Sequence, residues 1–355
     1  MLRLKCLSYH NICVMDKIVL LGKTMPELKL LSEELGLPKF AARQIADWLY
    51  KKNVDSVEQM TNISLANRNK ISERCVVGKS LPENVMVSAD GTKKYLFRVQ
   101  DKFVEAVYIP EKDRATLCVS SQVGCKMNCL FCMTGKQGFG CSLTSGEILN
   151  QMQAIPEFDK LTNVVFMGMG EPMDNVKNVL AALEIMTSDY GYAWSPKRVT
   201  VSTVGIVPGM REFLQKSSCH LAVSLHNPFP DERLAMMPIE KAYSIVDVLS
   251  EIRKYDFTGQ RRVSFEYTMF KGKNDTPRHA AELKRLLDGL ECRMNLIRFH
   301  SIPDVPLEGS SDDEIEKFQS ELSKRGVLAT IRKSRGEDIF AACGLLSTMK
   351  KNNEL

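Results

Sequence analysis

No run of eighteen or more apolar residues occurs in the sequence, which excludes a membrane-spanning helix and any membrane partner of that kind. The stretch from Met1 to Lys17 has a basic tip but no long apolar core and no small-residue cleavage pattern, so no secretory leader is expected. Residues 1–14 read instead as a detachable extension, non-native or disordered, with Met15 as a natural alternative start. A disulfide framework is absent too. The eleven cysteines are an odd number in a long chain without a leader, which fits metal or redox chemistry and a cytoplasmic location. Cys6, Cys13, Cys75, Cys141, Cys219 and Cys292 read as incidental or small apolar thiols.

What is present is ordinary in bulk. Hydrophobic residues make up 44% and charged residues 26%, as in soluble globular proteins, and 355 residues suffice for a large domain with a smaller partner. The net charge of +5 is uneven. The first 115 residues hold 19 basic against 14 acidic side chains, and the remainder balances at 29 against 29. A basic excess confined to the first third points to a polyanionic partner there, or simply to a solvated surface.

Helical apolar spacing runs through 26–36, 39–52 and 64–75, followed by strand-like sequence over 84–110 with turns at Asp90-Gly91 and Gln100-Asp101. From about residue 116, short apolar runs alternate with amphipathic segments near 144–154, 174–187, 208–216, 244–255, 277–288 and 312–324. That alternation predicts an α/β fold with a parallel sheet. Fewer than eight repeats favour a partial (βα)-type barrel, preceded by a small helical module and a β-meander. The expected organisation is 15–110 for the amino-terminal module, 111–346 for the barrel with its carboxy-terminal segment, and 347–355 for a tail. Ligands in such folds sit at the C-terminal ends of the strands.

The loop after the strand "ATLCVSS" reads "GCKMNCLFC", with Cys125, Cys129 and Cys132 at C-x3-C-x2-C spacing. Zinc would want a fourth Cys or His nearby, and a ferredoxin would show four or eight cysteines in a compact domain. Three thiolates can each hold one iron of a cube and leave the fourth iron open to a small molecule. This spacing, followed by an α/β repeat, resembles the radical S-adenosylmethionine superfamily. The resemblance implies one 4Fe-4S cluster whose open iron is chelated by the amino and carboxylate groups of S-adenosylmethionine.

The strand ends that follow are polar. "VVFMGMGEP" places Gly168, Gly170 and Glu171 after one strand; glycines permit close approach, and a carboxylate accepts from an ammonium group. The segment resembles the superfamily's stretch that holds the methionyl amine. The next strands end at Ser202-Thr203 and at Ser224-Leu225-His226, with hydroxyls suited to ribose or carboxylate contacts. His226 has no second histidine at useful spacing, so a ligand contact is favoured over a metal. Two thiols stand apart. Cys118 lies inside an apolar strand, and Cys343 lies in "RKSRGEDIFAACGLL", where Arg332, Lys333 and Arg335 would lower a thiol pKa and Glu337 and Asp338 oppose them. Glu105 is the sole charge of "FVEAVYIP"; it is either a desolvated acid–base group or an edge-strand residue facing solvent.

Together the blocks "RATLCVSSQVGCKMNCLFC", "FMGMGEPMDN", "VTVSTVGIVP", "LAVSLHNPFPDERLAMMPI" and "SRGEDIFAACG" resemble the dual-thiol radical S-adenosylmethionine methyltransferases that modify an rRNA adenosine. The likeness spans about residues 20–346. It implies that Cys343 carries a methyl group, Cys118 resolves a protein–RNA adduct and Glu105 is a general base. Gly170, Glu171, Ser202, Ser224, Leu225 and His226 would hold S-adenosylmethionine, used twice per turnover as methyl donor and as radical source. His300 stands where the family carries an asparagine cofactor contact, and "CMTGKQGF" departs from the family's "CSTAQQGF". Two thiols suit the chemistry because carbon 2 of adenine is too electron-poor to attack a sulfonium methyl directly.

The substrates implied are 23S rRNA and the adenosine 3′ of the anticodon in tRNA. The sister activity at carbon 8 is the nearest alternative, and Pro172 in "GMGEP" resembles the carbon-2 branch. A non-catalytic RNA-binding protein with zinc or an iron–sulfur cluster is the alternative from another class. An electron donor such as flavodoxin or ferredoxin and a monomeric state complete the expectations. Candidate phosphate contacts are Lys51, Lys52, Arg68 and Lys70 on helices, Lys93 and Lys94 on the hairpin, and Arg261, Arg262 and Arg332 to Arg335.

Overall fold

The computed structural model describes residues 17–259 and 261–348. The expected extension over 1–14, Met15, Cys6 and Cys13 lie outside the described residues, as does the expected tail beyond Thr348.

The chain forms two compact units. The first holds the described residues up to Ser80 together with Thr144–Ala154 and Ala181–Trp194. Its strands β1 (Ile18–Val19) and β2 (Cys75–Val76) pair in parallel, and helices α1 (Met25–Glu34), α2 (Ala41–Ala46) and α3 (Leu65–Arg74) supply Leu28, Leu31, Ile45 and Ile71 to its core. α1 starts at a capping box: Thr24 gives its amide (2.7 Å) and its hydroxyl (2.8 Å) to Glu27. The apolar spacing read from the sequence thus reports burial on one helical face.

The second unit contains a sheet of ten strands. In chain order they are β3 (Asn84–Val87), β4 (Lys93–Val99), β5 (Lys102–Pro110), β6 (Ala115–Cys118), β9 (Asn163–Phe166), β10 (Val199–Thr203), β11 (His220–Ser224), β12 (Val263–Met269), β13 (Cys292–Arg298) and β14 (Ala329–Ile331). Between β6 and β9, the short strands β7 (Gln122–Gly124) and β8 (Phe139–Ser142) pair antiparallel on either side of the cysteine loop. From β6 through β14 all neighbours in the large sheet are parallel, and β3, β4 and β5 add antiparallel to β6. The sheet ends at β3 and β14 without closing, which is the partial barrel the strand–helix alternation predicts.

The meander therefore shares one sheet with the barrel strands, and the expected boundary near residue 110 falls inside that sheet. Strand–helix alternation signals the parallel part, but nothing in a meander's sequence announces which edge it will extend. β9, β11 and β12 are buried almost throughout, as parallel strands covered by helices should be. Their C-terminal ends carry the polar residues, and the site forms there.

Candidate active site at the strand ends

The cysteine loop is held by backbone before any ligand is considered. Gly124 has φ 70°, and a Cβ there would stand 1.6 Å from the Gly138 carbonyl oxygen, so only glycine fits. The Cys125 amide then bonds that same oxygen at 3.1 Å. Leu130 N donates to the Met236 carbonyl at 2.9 Å, and Met133 N to the Gly344 carbonyl at 2.9 Å. Cys129 packs among Met236, Met237, Phe270, Phe299 and Ile302.

Burial and mutual repulsion push the Cys125 thiol up to about 12 and the Cys129 thiol well above its ordinary value. Met127 N donates to the Cys125 sulfur at 3.5 Å. Desolvated thiols that repel one another, one already receiving an amide, suit a cationic cluster that takes one sulfur per iron. Among the described residues, no three His, Cys, Asp or Glu side chains converge on a point for a single ion.

A cavity of about 150 Å³ lies beside this loop, lined by Cys132, Gly170, Glu171, Ser202, Ser224 and His226 among others. Gly170 has φ 96°, and a Cβ on it would meet Gln122 Cβ at 2.5 Å. Glu171 is buried and accepts from Met173 N (3.0 Å), Thr203 Oγ1 (2.6 Å) and Val204 N (2.9 Å). Burial nonetheless raises its carboxyl to about 7, since those three donors offset the desolvation only in part. His226 has φ 53°, and its Nδ1 accepts from Thr268 N at 2.9 Å, leaving the proton on Nε2. Burial pushes it down to about 3, so the ring is neutral.

A larger cavity of about 340 Å³ is lined by Cys118, His300, Arg332 and Cys343 among others, and Cys132 and Cys343 line both spaces. Burial and the nearby Cys343 push the Cys118 thiol up to about 12. Cys343 is open to the cavity yet ringed by protein atoms. Desolvation raises its pKa, Arg332 opposes that, and Glu266 adds to it. The opposing carboxylate is thus Glu266, which lies 3.7 Å from Arg332, and not Glu337 or Asp338. Asp338 instead receives Ser88 Oγ at 2.6 Å and Ala89 N at 3.1 Å.

Three of the expected residues, Leu225, His300 and Glu105, do not line the smaller cavity. The Leu225 side chain is fully buried and lines neither cavity; its carbonyl is taken by Arg233. His300 lines the thiol cavity, not the smaller one, with Nε2 2.9 Å from Ser334 Oγ. Glu105 lines neither. It is 1% exposed, 3.3 Å from Lys94 Nζ, and accepts from Ser347 N at 3.2 Å. The reading of Glu105 as a solvent-facing edge residue fails because β5 is flanked by β4 and β6.

Lys94, a candidate phosphate contact, is buried by the same pair and is withdrawn from that role. Lys93 is held by Glu157 at 2.6 Å, and Arg68 by the Glu58 carbonyl at 2.5 Å. Lys51 and Lys52 both approach Asp47, Lys52 also lying 3.6 Å over the Trp48 ring, and Lys70 is exposed. Arg261 donates to the Ser217 carbonyl, while Arg262 is exposed. At the mouth of the larger cavity, Arg335 has loose partners in Asp90 and Glu111 at 3.8 and 3.9 Å, Arg114 donates from Nε to Thr116 Oγ1 at 3.0 Å and lies 3.8 Å from Glu111, and Lys333 is exposed.

Arg233, Glu240 and Glu266 were not signalled by the sequence. A charged residue within a helix, a turn or a strand reads as surface unless its burial is known.

A cysteine loop after the first parallel strand and a ligand cavity across the next strand ends define a radical S-adenosylmethionine enzyme. The Radical SAM superfamily model matches residues 119–283, and the ribosomal RNA large subunit methyltransferase N-terminal domain matches residues 18–77. The chain is 58% identical to the probable dual-specificity RNA methyltransferase RlmN of Bacteroides fragilis (strain YCH46), over 95% of this chain and 98% of that one. It is 42% identical to the dual-specificity RNA methyltransferase RlmN of Syntrophus aciditrophicus (strain SB), over 94% and 97%. A crystal structure of a radical SAM methyltransferase from Sphaerobacter thermophilus superposes with a TM-score of 0.86 at 37% identity, covering 93% of this chain and 99% of that one. The chain therefore belongs to the RlmN family of dual-specificity RNA methyltransferases, within the radical S-adenosylmethionine superfamily.

Proposed function

We propose that this enzyme methylates carbon 2 of an adenosine in 23S rRNA and of the adenosine 3′ of the anticodon in tRNA. The observation that carries the reading is that Cys118 and Cys343 line one cavity, which shares Cys132 and Cys343 with the smaller cavity beside the cysteine loop. Cys125, Cys129 and Cys132 would hold a 4Fe-4S cluster. Gly170, Glu171, Ser202, Ser224 and His226 would hold S-adenosylmethionine. When bound, that cofactor supplies a methyl group in one use and, with an electron from the cluster, a hydrogen-abstracting radical in another.

The chain's own part follows from position. Cys343 faces both cavities, so its sulfur can accept a methyl group from one side and present it to RNA on the other. Glu171 orients the cofactor's amino end, and neutral His226 offers Nε2–H as a donor. Arg332 opposes the desolvation that keeps Cys343 protonated. The product leaves when the Cys118 sulfur attacks the Cys343 sulfur: a disulfide forms, and the bond between Cys343 sulfur and the transferred carbon breaks with its electron pair on that carbon. Of the two candidates for removing the ring proton, Cys118 lines the cavity and Glu105 does not, but the Cys118 thiol, held protonated by burial, must lose its own proton before it can take another.

His300 belongs with the RNA side of the site. Cytoplasmic location, a flavodoxin or ferredoxin as electron donor and a monomeric state remain parts of this proposal. Among the described residues, no helix is long and apolar enough to cross a membrane. Mass mapping of RNA treated with the reconstituted enzyme tests the assignment: 2-methyladenosine in 23S rRNA and tRNA fragments supports it, and 8-methyladenosine or no methylation overturns it.

A further inference from the structure

Arg233 lines neither cavity, yet it is 0% exposed. It donates from Nε to the Leu225 carbonyl at 3.0 Å, and from Nη2 to the carbonyls of Val204 (3.0 Å) and Ser224 (2.9 Å). Nη1 bonds Glu240 Oε2, and that carboxylate also receives the Ile245 amide, at 3.1 Å to Oε1 and 3.0 Å to Oε2. The three carbonyls lie at and just beyond the ends of β10 and β11, which pair in parallel. Carbonyls beyond the last ladder bond need donors, and where water is excluded one guanidinium can serve several.

This clamp reaches the ligand site on both sides. The Val204 amide bonds Glu171 Oε2 at 2.9 Å, and Ser224 lines the smaller cavity. It reaches the cysteine loop as well. Arg233 sits on the helix Pro230–Met236, whose last carbonyl receives the Leu130 amide at 2.9 Å, and Cys129 packs against Met236 and Met237.

We propose that Arg233 and Glu240 are a positioning pair for the radical centre. The three-carbonyl clamp sets the shape of the cofactor cavity, and the pair's two buried charges set the reduction potential of the cluster on Cys125, Cys129 and Cys132. A reduced cluster is one unit more negative than an oxidised one, so a fixed cation near it favours reduction and a fixed anion opposes it. The inference rests on the triplet holding a cluster. Iron and sulfide content after anaerobic reconstitution tests that separately, because a protein without iron fails before either variant is compared.

Two conservative variants separate shape from charge. Glu240→Gln keeps an amide oxygen for Arg233 and Ile245 but removes the anion. Arg233→Lys keeps the cation, but one ammonium cannot span three carbonyls and a carboxylate. Both are reconstituted and compared with wild type in two measurements. One is S-adenosylmethionine affinity by calorimetry with the cluster oxidised; the other is the cluster's midpoint potential by dithionite titration followed by electron paramagnetic resonance.

Glu240→Gln is expected to bind S-adenosylmethionine as wild type does and to reduce about tenfold more readily, an upward shift of about 59 mV for one electron. Arg233→Lys is expected to bind the cofactor about tenfold more weakly with a potential within a third of that shift. An unchanged potential in Glu240→Gln overturns the charge role. Unchanged affinity in Arg233→Lys overturns the clamp. Lower melting temperatures in both variants, with affinity and potential as in wild type, reduce the pair to a purely structural role and overturn the proposal.

Discussion

The two cavities share Cys132 and Cys343 and differ in how their polar groups are paired. In the smaller one, Glu171 accepts three hydrogen bonds of 2.6–3.0 Å and His226 one of 2.9 Å, all within the protein. Around the larger one, the charged pairs are loose: Arg332 to Glu266 at 3.7 Å, and Arg335 to Asp90 and Glu111 at 3.8 and 3.9 Å. A site for one small cofactor gains from groups fixed in advance, because little ordering is left for binding to do. A site that must admit a nucleotide and later release it gains from charges that exchange partners. The difference teaches that binding and chemistry are built on separate groups, joined at Cys343.

The largest effect that would break this comparison is at the thiols. Cys343→Ala is expected to abolish RNA methylation, read by mass mapping of the treated RNA, because among the described residues no other thiol lines both cavities in its place except Cys132 of the cluster loop. Cys118→Ala is expected to accumulate a covalent RNA adduct, visible as a slow band on a denaturing gel. A Cys343→Ala protein that still methylates RNA would sink the dual-thiol reading.

Next in size is the pair near the C-terminal segment. Lys94→Met removes the ammonium that lies 3.3 Å from the buried Glu105 carboxylate and is expected to lower unfolding stability by about 3 kcal/mol, read by urea denaturation. Because Lys94 is buried, the salt dependence of RNA binding should not change. A smaller salt slope with full stability would restore Lys94 as a phosphate contact.

Glu171→Gln sharpens the binding side. Loss of a charged acceptor is expected to weaken S-adenosylmethionine by about 2 kcal/mol, roughly thirtyfold, by calorimetry. The wild-type carboxyl sits near 7, so it takes up a proton as pH falls below that value. Wild-type affinity should therefore rise with pH up to about 7 and level off above it, while the glutamine variant stays flat between pH 5.5 and 7.5. Parallel profiles would mean that Glu171 does not contact the cofactor.

The smallest effect belongs to the rim. Lys333→Ala is expected to reduce the slope of log affinity against log salt by about 0.7 for one phosphate contact on single-stranded RNA, with S-adenosylmethionine binding unchanged. An unaltered slope would remove Lys333 from the RNA surface.

Much of this was legible in the residues. Helical spacing placed Asp312–Lys324 and Pro277–Leu287 to within a residue, because amphipathic periodicity is a direct record of one buried face. Cys132, Gly170, Glu171, Ser202, Ser224 and His226, singled out because ligand groups in parallel α/β folds stand at strand ends, where the pattern changes from apolar to polar, line the smaller cavity. That the Leu225 side chain lines neither cavity was not legible: successive side chains alternate across a strand, and which of them faces a cavity depends on the register of the sheet. His300, read as a cofactor contact from its place in a motif, lines the larger cavity and not the smaller one, a placement set by the loop after β13.

By itself, then, the sequence determined the order of strands and helices, the three-thiol loop, the polar strand ends and the two thiols set apart from the triplet. Those are local properties, written in spacing and residue type. Only the tertiary structure decided that Cys118 and Cys343, 225 positions apart, line one cavity, that Lys94 lies buried against Glu105, and that Arg233 clamps two strand ends. The physical reason is the same in each case. The free energy of a charge or a thiol depends on its desolvation and its partners, and both are set by residues distant in the chain.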